Sequence, residues 1–270
     1  MIQNGILKNL IWQTGYTAGR LLYPPRCPIC DALLPAWILP RKAQVMEWVC
    51  EDCRKKLPWA MEPACMKCGK PVGNPETEFC EDCLRTPHLY DSGRAAFVYT
   101  GGIRRSVYRM KFQNRRDYLD FYAAAMVFAG ERYLRYWRPD VIVPVPMHWR
   151  KRAARGYNQA ELLAEKISRL TGIPCDRGLL RCTRYTGNQK ELDRKERLRN
   201  LRGSFETGKC RPDCSTAARA LLVDDVYTTG STMDEAARAL REAGMRQIFF
   251  LVICTGKGKK SLHDTKSVLY

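Results

Sequence analysis

The run Leu221-Leu222-Val223-Asp224-Asp225-Val226-Tyr227-Thr228-Thr229-Gly230-Ser231-Thr232, followed by the helical pattern Met233 to Ala243, decides how the second half of this chain folds. An uninterrupted aliphatic run reads as a buried strand of a parallel sheet. It delivers two carboxylates at its C-terminal edge, and a hydroxyl-rich turn then opens a helix. Free backbone N–H groups at a helix start attract an anion, so the Thr228, Thr229, Ser231 and Thr232 hydroxyls and those amides would surround a phosphate. Gly230 lets the backbone come close. Thr232 with Glu235 three residues on has the form of a capping box, which places the helix start at Thr232. Asp224 and Asp225 repel a phosphate; they suit sugar hydroxyls and a magnesium ion beyond it.

Working outward, Arg94 to Thr100 reads as a strand, Ile103 to Phe112 and Leu119 to Arg135 as helices, and Val141 to Val145 as a short buried strand. Tyr157 to Leu170 reads as a further helix, and Ile248 to Cys254 as another central strand. Strands alternating with helices predict an α/β class, a parallel sheet flanked by helices.

Upstream the texture differs. Eight of the 13 cysteines form four pairs with two residues between them: Cys27 and Cys30, Cys50 and Cys53, Cys65 and Cys68, Cys80 and Cys83. Each such turn aims two thiolates at one point, and two turns complete the four-coordinate shell of zinc. Four pairs predict two zinc ribbons, sharing metal either in sequence (first with second, third with fourth) or interleaved. All-sulfur shells leave no open position for a catalytic water, and each ribbon has few apolar residues of its own, so the zinc is structural. Cys175, Cys182, Cys210, Cys214 and Cys254 lack partner spacing and read as reduced thiols.

At 270 residues the chain has room for about two domains. We divide it into residues 1–93, an N-terminal helix with the zinc-binding domain, and 94–270, the phosphate-binding domain. The composition, 45% hydrophobic and 27% charged, excludes wholesale disorder. No apolar run reaches a membrane span, and no export signal is evident. Met1 to Tyr23 reads as a docking helix or a membrane-surface anchor. The net charge of +18 is concentrated: Arg94 to Arg116 holds seven basic residues and no acid, Val141 to Ala160 four and none, and Arg177 to Arg211 eleven against four acids. Such segments suit a polyanionic partner, or else form a solvated basic surface.

The stretch Asp224 to Thr232 resembles the phosphoribosyl pyrophosphate signature of type I phosphoribosyltransferases. Val143-Pro144-Val145-Pro146, Arg150-Lys151-Arg152-Ala153-Ala154-Arg155-Gly156-Tyr157-Asn158-Gln159, and Thr186-Gly187-Asn188-Gln189 with Leu192, Arg197, Asn200 and Phe205 are similar to segments of the ComF family of competence proteins. With the four cysteine pairs, that resemblance covers nearly the whole chain. It implies a type I phosphoribosyltransferase-like fold carrying an N-terminal double zinc ribbon. It further implies Asp224 and Asp225 on the ribose hydroxyls, Thr228, Thr229, Gly230, Ser231 and Thr232 on the 5-phosphate, and Arg150, Lys151 and Arg152 near the pyrophosphate, with Mg²⁺. Thr183 to Asn200 matches a mobile hood, from which Arg197 and Arg199 would reach the leaving group, Arg197 acting with Asp224 and Asp225 in catalysis. Asn158 and Gln159 either orient the loop after the Val141 strand or begin a helix.

Two functions follow from the resemblance. One is a role in natural transformation, handling incoming single-stranded DNA in the cytoplasm on a fold that binds phosphoribosyl pyrophosphate. Tyr99, Tyr108, Phe112, Tyr118, Trp149, Tyr157 and Tyr185, interleaved with the basic segments, would supply stacking surfaces or core. The other is an active phosphoribosyltransferase, moving ribose 5-phosphate to a base or amine with release of pyrophosphate. No segment reads as a pocket for a particular acceptor. A third reading has the ribbons dock other proteins of the DNA-uptake machinery.

Overall fold

The computed structural model describes residues 24–35, 45–184, 203–208 and 218–256. The expected N-terminal helix, Tyr185, Arg197 and Arg199 with most of the expected hood, Cys210, Cys214 and the tail from 257 onward lie outside them. The chain forms two compact units, residues 1–57 and 58–270. The division expected at 93/94 follows the last cysteine pair; the compact units divide earlier because the second ribbon shares the core of the larger unit.

In the smaller unit, the Cys27 turn is closed by Asp31 N–H donating to Cys27 O at 2.8 Å and Cys27 N–H donating to Ala32 O at 2.8 Å. A 3-10 turn, Val45–Trp48, leads to the one-turn helix α1, Glu51–Arg54, which Cys50 precedes and to which Cys53 belongs. The sulfurs of Cys27, Cys30, Cys50 and Cys53 lie within 4.8 Å of one another. In the larger unit the pattern repeats: Gly69 N–H donates to Cys65 O at 2.8 Å, helix α2 spans Glu81–Arg85, and the sulfurs of Cys65, Cys68, Cys80 and Cys83 lie equally close. Pairs therefore combine in sequence. Facing sulfurs 3.6 Å apart in both groups suit tetrahedral Zn²⁺, whose 2.3 Å bonds put them at about 3.8 Å.

The sheet has four parallel strands, β1 (Ser92–Val98), β2 (Val141–Pro144), β5 (Arg219–Tyr227) and β6 (Gln247–Thr255), in the order β1-β6-β5-β2. Helices α3 (Gly101–Phe112) and α4 (Tyr118–Trp137) join β1 to β2. Helices α5 (Trp149–Arg155) and α6 (Gln159–Thr171) follow β2, and α7 (Ser231–Glu242) joins β5 to β6. A two-stranded antiparallel pair, β3 (Leu180–Cys182) and β4 (Phe205–Thr207), packs near α7. The strands and long helices expected from Arg94 onward are all present, with ends shifted by a few residues. The short helix α5 and the pair β3 and β4 were not expected, because segments of three to seven residues carry too little periodicity to register.

Side-chain alternation along the central strands divides the core. Ile248, Phe250 and Val252 join Ala220 and Leu222 with Met233, Ala236 and Leu240 of α7 in one cluster. That cluster also holds Cys65, Cys68, Cys80 and Tyr90, so the second ribbon is built into the same face of the sheet. On the other face α4 lies so close that a Cβ at Gly130 would come 2.9 Å from Leu251, and Trp137 stacks on Phe249 at 4.8 Å.

One helix start differs from expectation. Helix α7 begins at Ser231, with Gly230 as its N-cap at φ 85°, and no side chain caps it. The expected Thr232 and Glu235 box does not form: Glu235 accepts from Arg238 at 2.7 Å and from Gly203 N–H at 2.8 Å instead. A left-handed glycine ends the preceding turn two residues earlier than a threonine cap would. It leaves the first amides of α7 without an intrahelical partner.

Candidate sugar-phosphate site and its basic rim

The C-terminal ends of β2 and β5 open into a pocket of about 390 Å³. It gathers Asp224, Asp225, Thr228, Thr229, Ser231 and Thr232 from the β5 turn, Lys151 and Arg155 from α5, Asn158 and Gln159 from the start of α6, and Lys111 from α3. A second cavity, about 1110 Å³, lies at the opposite, N-terminal end of the strands near Ser92, Arg219 and Gln247 and is lined by none of the expected site residues.

Strand alternation sends the two aspartates different ways. Asp225 is buried and both its oxygens are taken: Lys111 Nζ donates to Oδ1 at 2.7 Å and Gln159 Nε2 donates to Oδ2. Asp224 accepts from the Asp225 N–H at 2.8 Å through Oδ1. Among the described residues no donor meets its other oxygen, so Asp224 is the carboxylate presented to the pocket. It keeps some accessible surface yet is enclosed by protein atoms. Burial, and then the charge of Asp225, pushes its carboxyl up to about 7. A cation or hydroxyl donors beside Asp224 would relieve that cost.

The hydroxyl-lined turn is held from below. Thr229 Oγ1 and Ser231 Oγ are hydrogen-bonded at 2.9 Å. His88 Nδ1 meets Asp234 Oδ2 at 2.8 Å, and Leu89 N–H donates to Asp234 Oδ1 at 2.9 Å, tying the first turn of α7 to the segment leaving the second ribbon. The Tyr90 and Tyr227 hydroxyls bond at 2.7 Å, and Tyr227 stacks on Phe250 at 5.0 Å. A Cβ at Gly230 would fall 2.8 Å from both His88 Cε1 and Tyr227 Oη, so only glycine fits there. The second ribbon thus braces the cradle.

The opposite wall is cationic and pre-set. Arg155 donates to Gln159 Oε1 at 2.7 Å, which continues the chain Gln159, Asp225, Lys111. Burial, with the Arg155 charge acting the same way, draws the Lys151 ammonium below the ordinary lysine range. Of the three cations expected near pyrophosphate, Lys151 lines the pocket. Arg150 instead lies against the Trp149 ring at 5.3 Å, and Arg152 pairs with Glu161 at 2.9 Å. Asn158 does both things expected of it: its Oδ1 caps α6 at Ala160 N–H, and its Nδ2 donates to Val145 O, each at 3.1 Å.

Lys111 and Arg155 were not singled out from sequence. Lys111 sits 114 residues before Asp225, and a lysine within a basic run carries no local signal of the carboxylate it will meet. Arg155, one turn after Lys151, was separable only by the start of α5 at Trp149.

Of the aromatic residues considered for stacking, Tyr118 and Tyr157 are core. Tyr108, Phe112 and Trp149 are 52%, 50% and 65% exposed, and Tyr99 lines the pocket mouth.

Compared with known proteins, residues 18–84 match the double zinc ribbon domain and residues 118–269 the phosphoribosyl transferase domain. "Competence protein F" of Haemophilus influenzae is 30% identical over 204 residues, 74% of this chain and 87% of that one. The chain belongs to the ComF family. Within that family, "Competence protein ComFC" of Bacillus subtilis is 28% identical over 84% of this chain and 93% of its own. "DNA utilization protein YhgH" of Escherichia coli is 29% identical over 70% and 83%. The ComF chain's fold is therefore a phosphoribosyltransferase-like parallel sheet with zinc ribbons, as the sequence predicts. Its family match to the transferase domain begins at residue 118, after Lys111, so the cationic partner of Asp225 comes from outside the matched segment, while Gln159 lies within it.

Proposed function

We propose that this protein binds phosphoribosyl pyrophosphate with Mg²⁺ and handles incoming single-stranded DNA in the cytoplasm during DNA uptake. The observation that carries the ligand half is Asp224 facing an uncapped, hydroxyl-lined helix start across a pocket of about 390 Å³. In this reading Thr228, Thr229, Gly230, Ser231 and Thr232 hold the 5-phosphate through hydroxyls and amides. Asp224 takes the ribose hydroxyls, and Asp225, fixed by Lys111 and Gln159, sets the backbone from which Asp224 projects. Lys151 and Arg155 face the pyrophosphate, and Arg197 would join from its own segment. A magnesium ion would neutralise pyrophosphate charge, with Asp224 as the pocket's available carboxylate.

The relatives' names, competence protein and DNA utilization protein, support the DNA half, as do exposed aromatics within arginine-rich segments. No helix among the described residues is long and apolar enough to cross a membrane. A second reading, transfer of ribose 5-phosphate to a base or amine, is favoured by Lys151 and Arg155 lining the pocket, where in this reading they would stabilise the negative charge that grows as pyrophosphate leaves.

Calorimetry with phosphoribosyl pyrophosphate and MgCl₂ tests the ligand half. Binding that weakens about tenfold or more in Asp224→Asn, a change of about 1.4 kcal/mol, is expected. No heat from the wild-type protein would overturn it. Pyrophosphate release across a panel of bases and amines decides the second reading.

A further inference from the structure

Arg104, Tyr108 and Phe112 stand four residues apart on α3 and so share one helix face. The Tyr108 and Phe112 rings are 5.0 Å apart, and both are half exposed. Among the described residues no carboxylate pairs with Arg104 or its neighbour Arg105, both exposed, and α3 carries no acid at all. The face continues onto α5, because the Arg155 guanidinium lies over the Phe112 ring at 5.2 Å. Arg155 also lines the sugar-phosphate pocket, as does Lys111, the residue before Phe112. One arginine therefore serves both the exposed aromatic stripe and the pocket.

We infer that a single-stranded nucleic acid lies along this stripe, with bases on Tyr108 and Phe112 and backbone phosphates on Arg104 and Arg155, and that phosphoribosyl pyrophosphate in the pocket competes with it for Arg155. The inference rests on the function proposed above and adds a location and a sign of regulation to it. Successive exposed rings flanked by cations suit a strand whose bases are unstacked; a duplex hides its base faces. Two polyanions that draw on the same guanidinium bind in opposition, since the ligand that takes its N–H groups denies them to the other. By reciprocity, DNA weakens the sugar diphosphate equally.

The test uses the zinc-loaded full chain, a 3′-fluorescein-labelled oligothymidine and fluorescence anisotropy at fixed salt. Tyr108→Ala and Phe112→Ala should each weaken the oligonucleotide about tenfold while leaving the heat of phosphoribosyl pyrophosphate binding unchanged. Saturating phosphoribosyl pyrophosphate with Mg²⁺ should weaken the oligonucleotide about tenfold in the wild type and not in Arg155→Ala, in which both ligands also bind less well. Unchanged DNA affinity in both aromatic variants would overturn the location. Unchanged or tighter DNA binding on adding the sugar diphosphate, in a protein that calorimetry shows to bind it, would overturn the competition. If calorimetry shows no sugar diphosphate binding, the function proposed above fails and the competition with it, while the two aromatic variants still decide the location. Loss of anionic-vesicle binding in these variants, with oligonucleotide affinity intact, would assign the face to a membrane and overturn the proposal.

Discussion

Gly230→Ala probes whether the hydroxyl-lined cradle is rigidly backed. Gly230 sits at φ 85° in front of α7, where an alanine pays about 1 kcal/mol for a left-handed conformation. Its Cβ would also fall 2.8 Å from His88 Cε1 and Tyr227 Oη. Neither neighbour retreats easily. His88 is held by Asp234 at 2.8 Å, and the Tyr227 hydroxyl by Tyr90 at 2.7 Å. Forcing atoms into such packing costs about 1–3 kcal/mol more, for a total near 2–4 kcal/mol. Gly244, just past the other end of the same helix, supplies the control: its φ is 93°, and nothing lies within 4 Å of a Cβ there. Gly244→Ala should cost about 1 kcal/mol, the backbone contribution alone. Urea unfolding of both variants, zinc-loaded, reads the difference directly. Equal losses in the two proteins would show that His88 and Tyr227 yield freely, and the braced-cradle argument would fail.

Other expectations concern charge and metal. Asp224 titrates near 7 in the fold against 3.8 ordinarily, so between those values the folded state binds more protons and stability falls as pH rises. From pH 5.5 to 7 that amounts to at most about 2 kcal/mol, and the stability gap between wild type and Asp224→Asn should widen by up to this much and then level off; a constant gap would refute the burial of this carboxyl. Lys111→Met removes the ion pair of a buried carboxylate that, among the described residues, keeps only Gln159 as a side-chain partner. With Lys111 itself partly exposed, we expect a loss of about 2–3 kcal/mol in urea unfolding, below the range of fully enclosed pairs, and no loss would show that Asp225 finds another cation. Chelating zinc should lower the melting temperature of the sheet unit as well as unfold the ribbons, because Cys65, Cys68 and Cys80 share a core with Tyr227 and Met233. A sheet transition unmoved by chelator would refute that coupling.

Much of this protein was legible in one dimension because its strongest signals are local. Aliphatic runs such as Leu221 to Val223, the spacing of eight cysteines, and a glycine among hydroxyls each constrain backbone and ligand chemistry within a few residues. They determined the parallel α/β class, the two all-sulfur sites and the place of the hydroxyl-rich turn. Tertiary structure alone decided how side chains far apart in sequence share a charge. It turned Asp225 inward onto Lys111 and Gln159 and left Asp224 to the pocket. It chose Lys151 with Arg155 over Arg150 and Arg152, and it set the second ribbon under the cradle through His88 and Tyr90. The reason is physical: an ion pair, a stacked ring or a buried brace depends on where two elements meet in space, and a run of like residues along the chain does not encode which of them will point there.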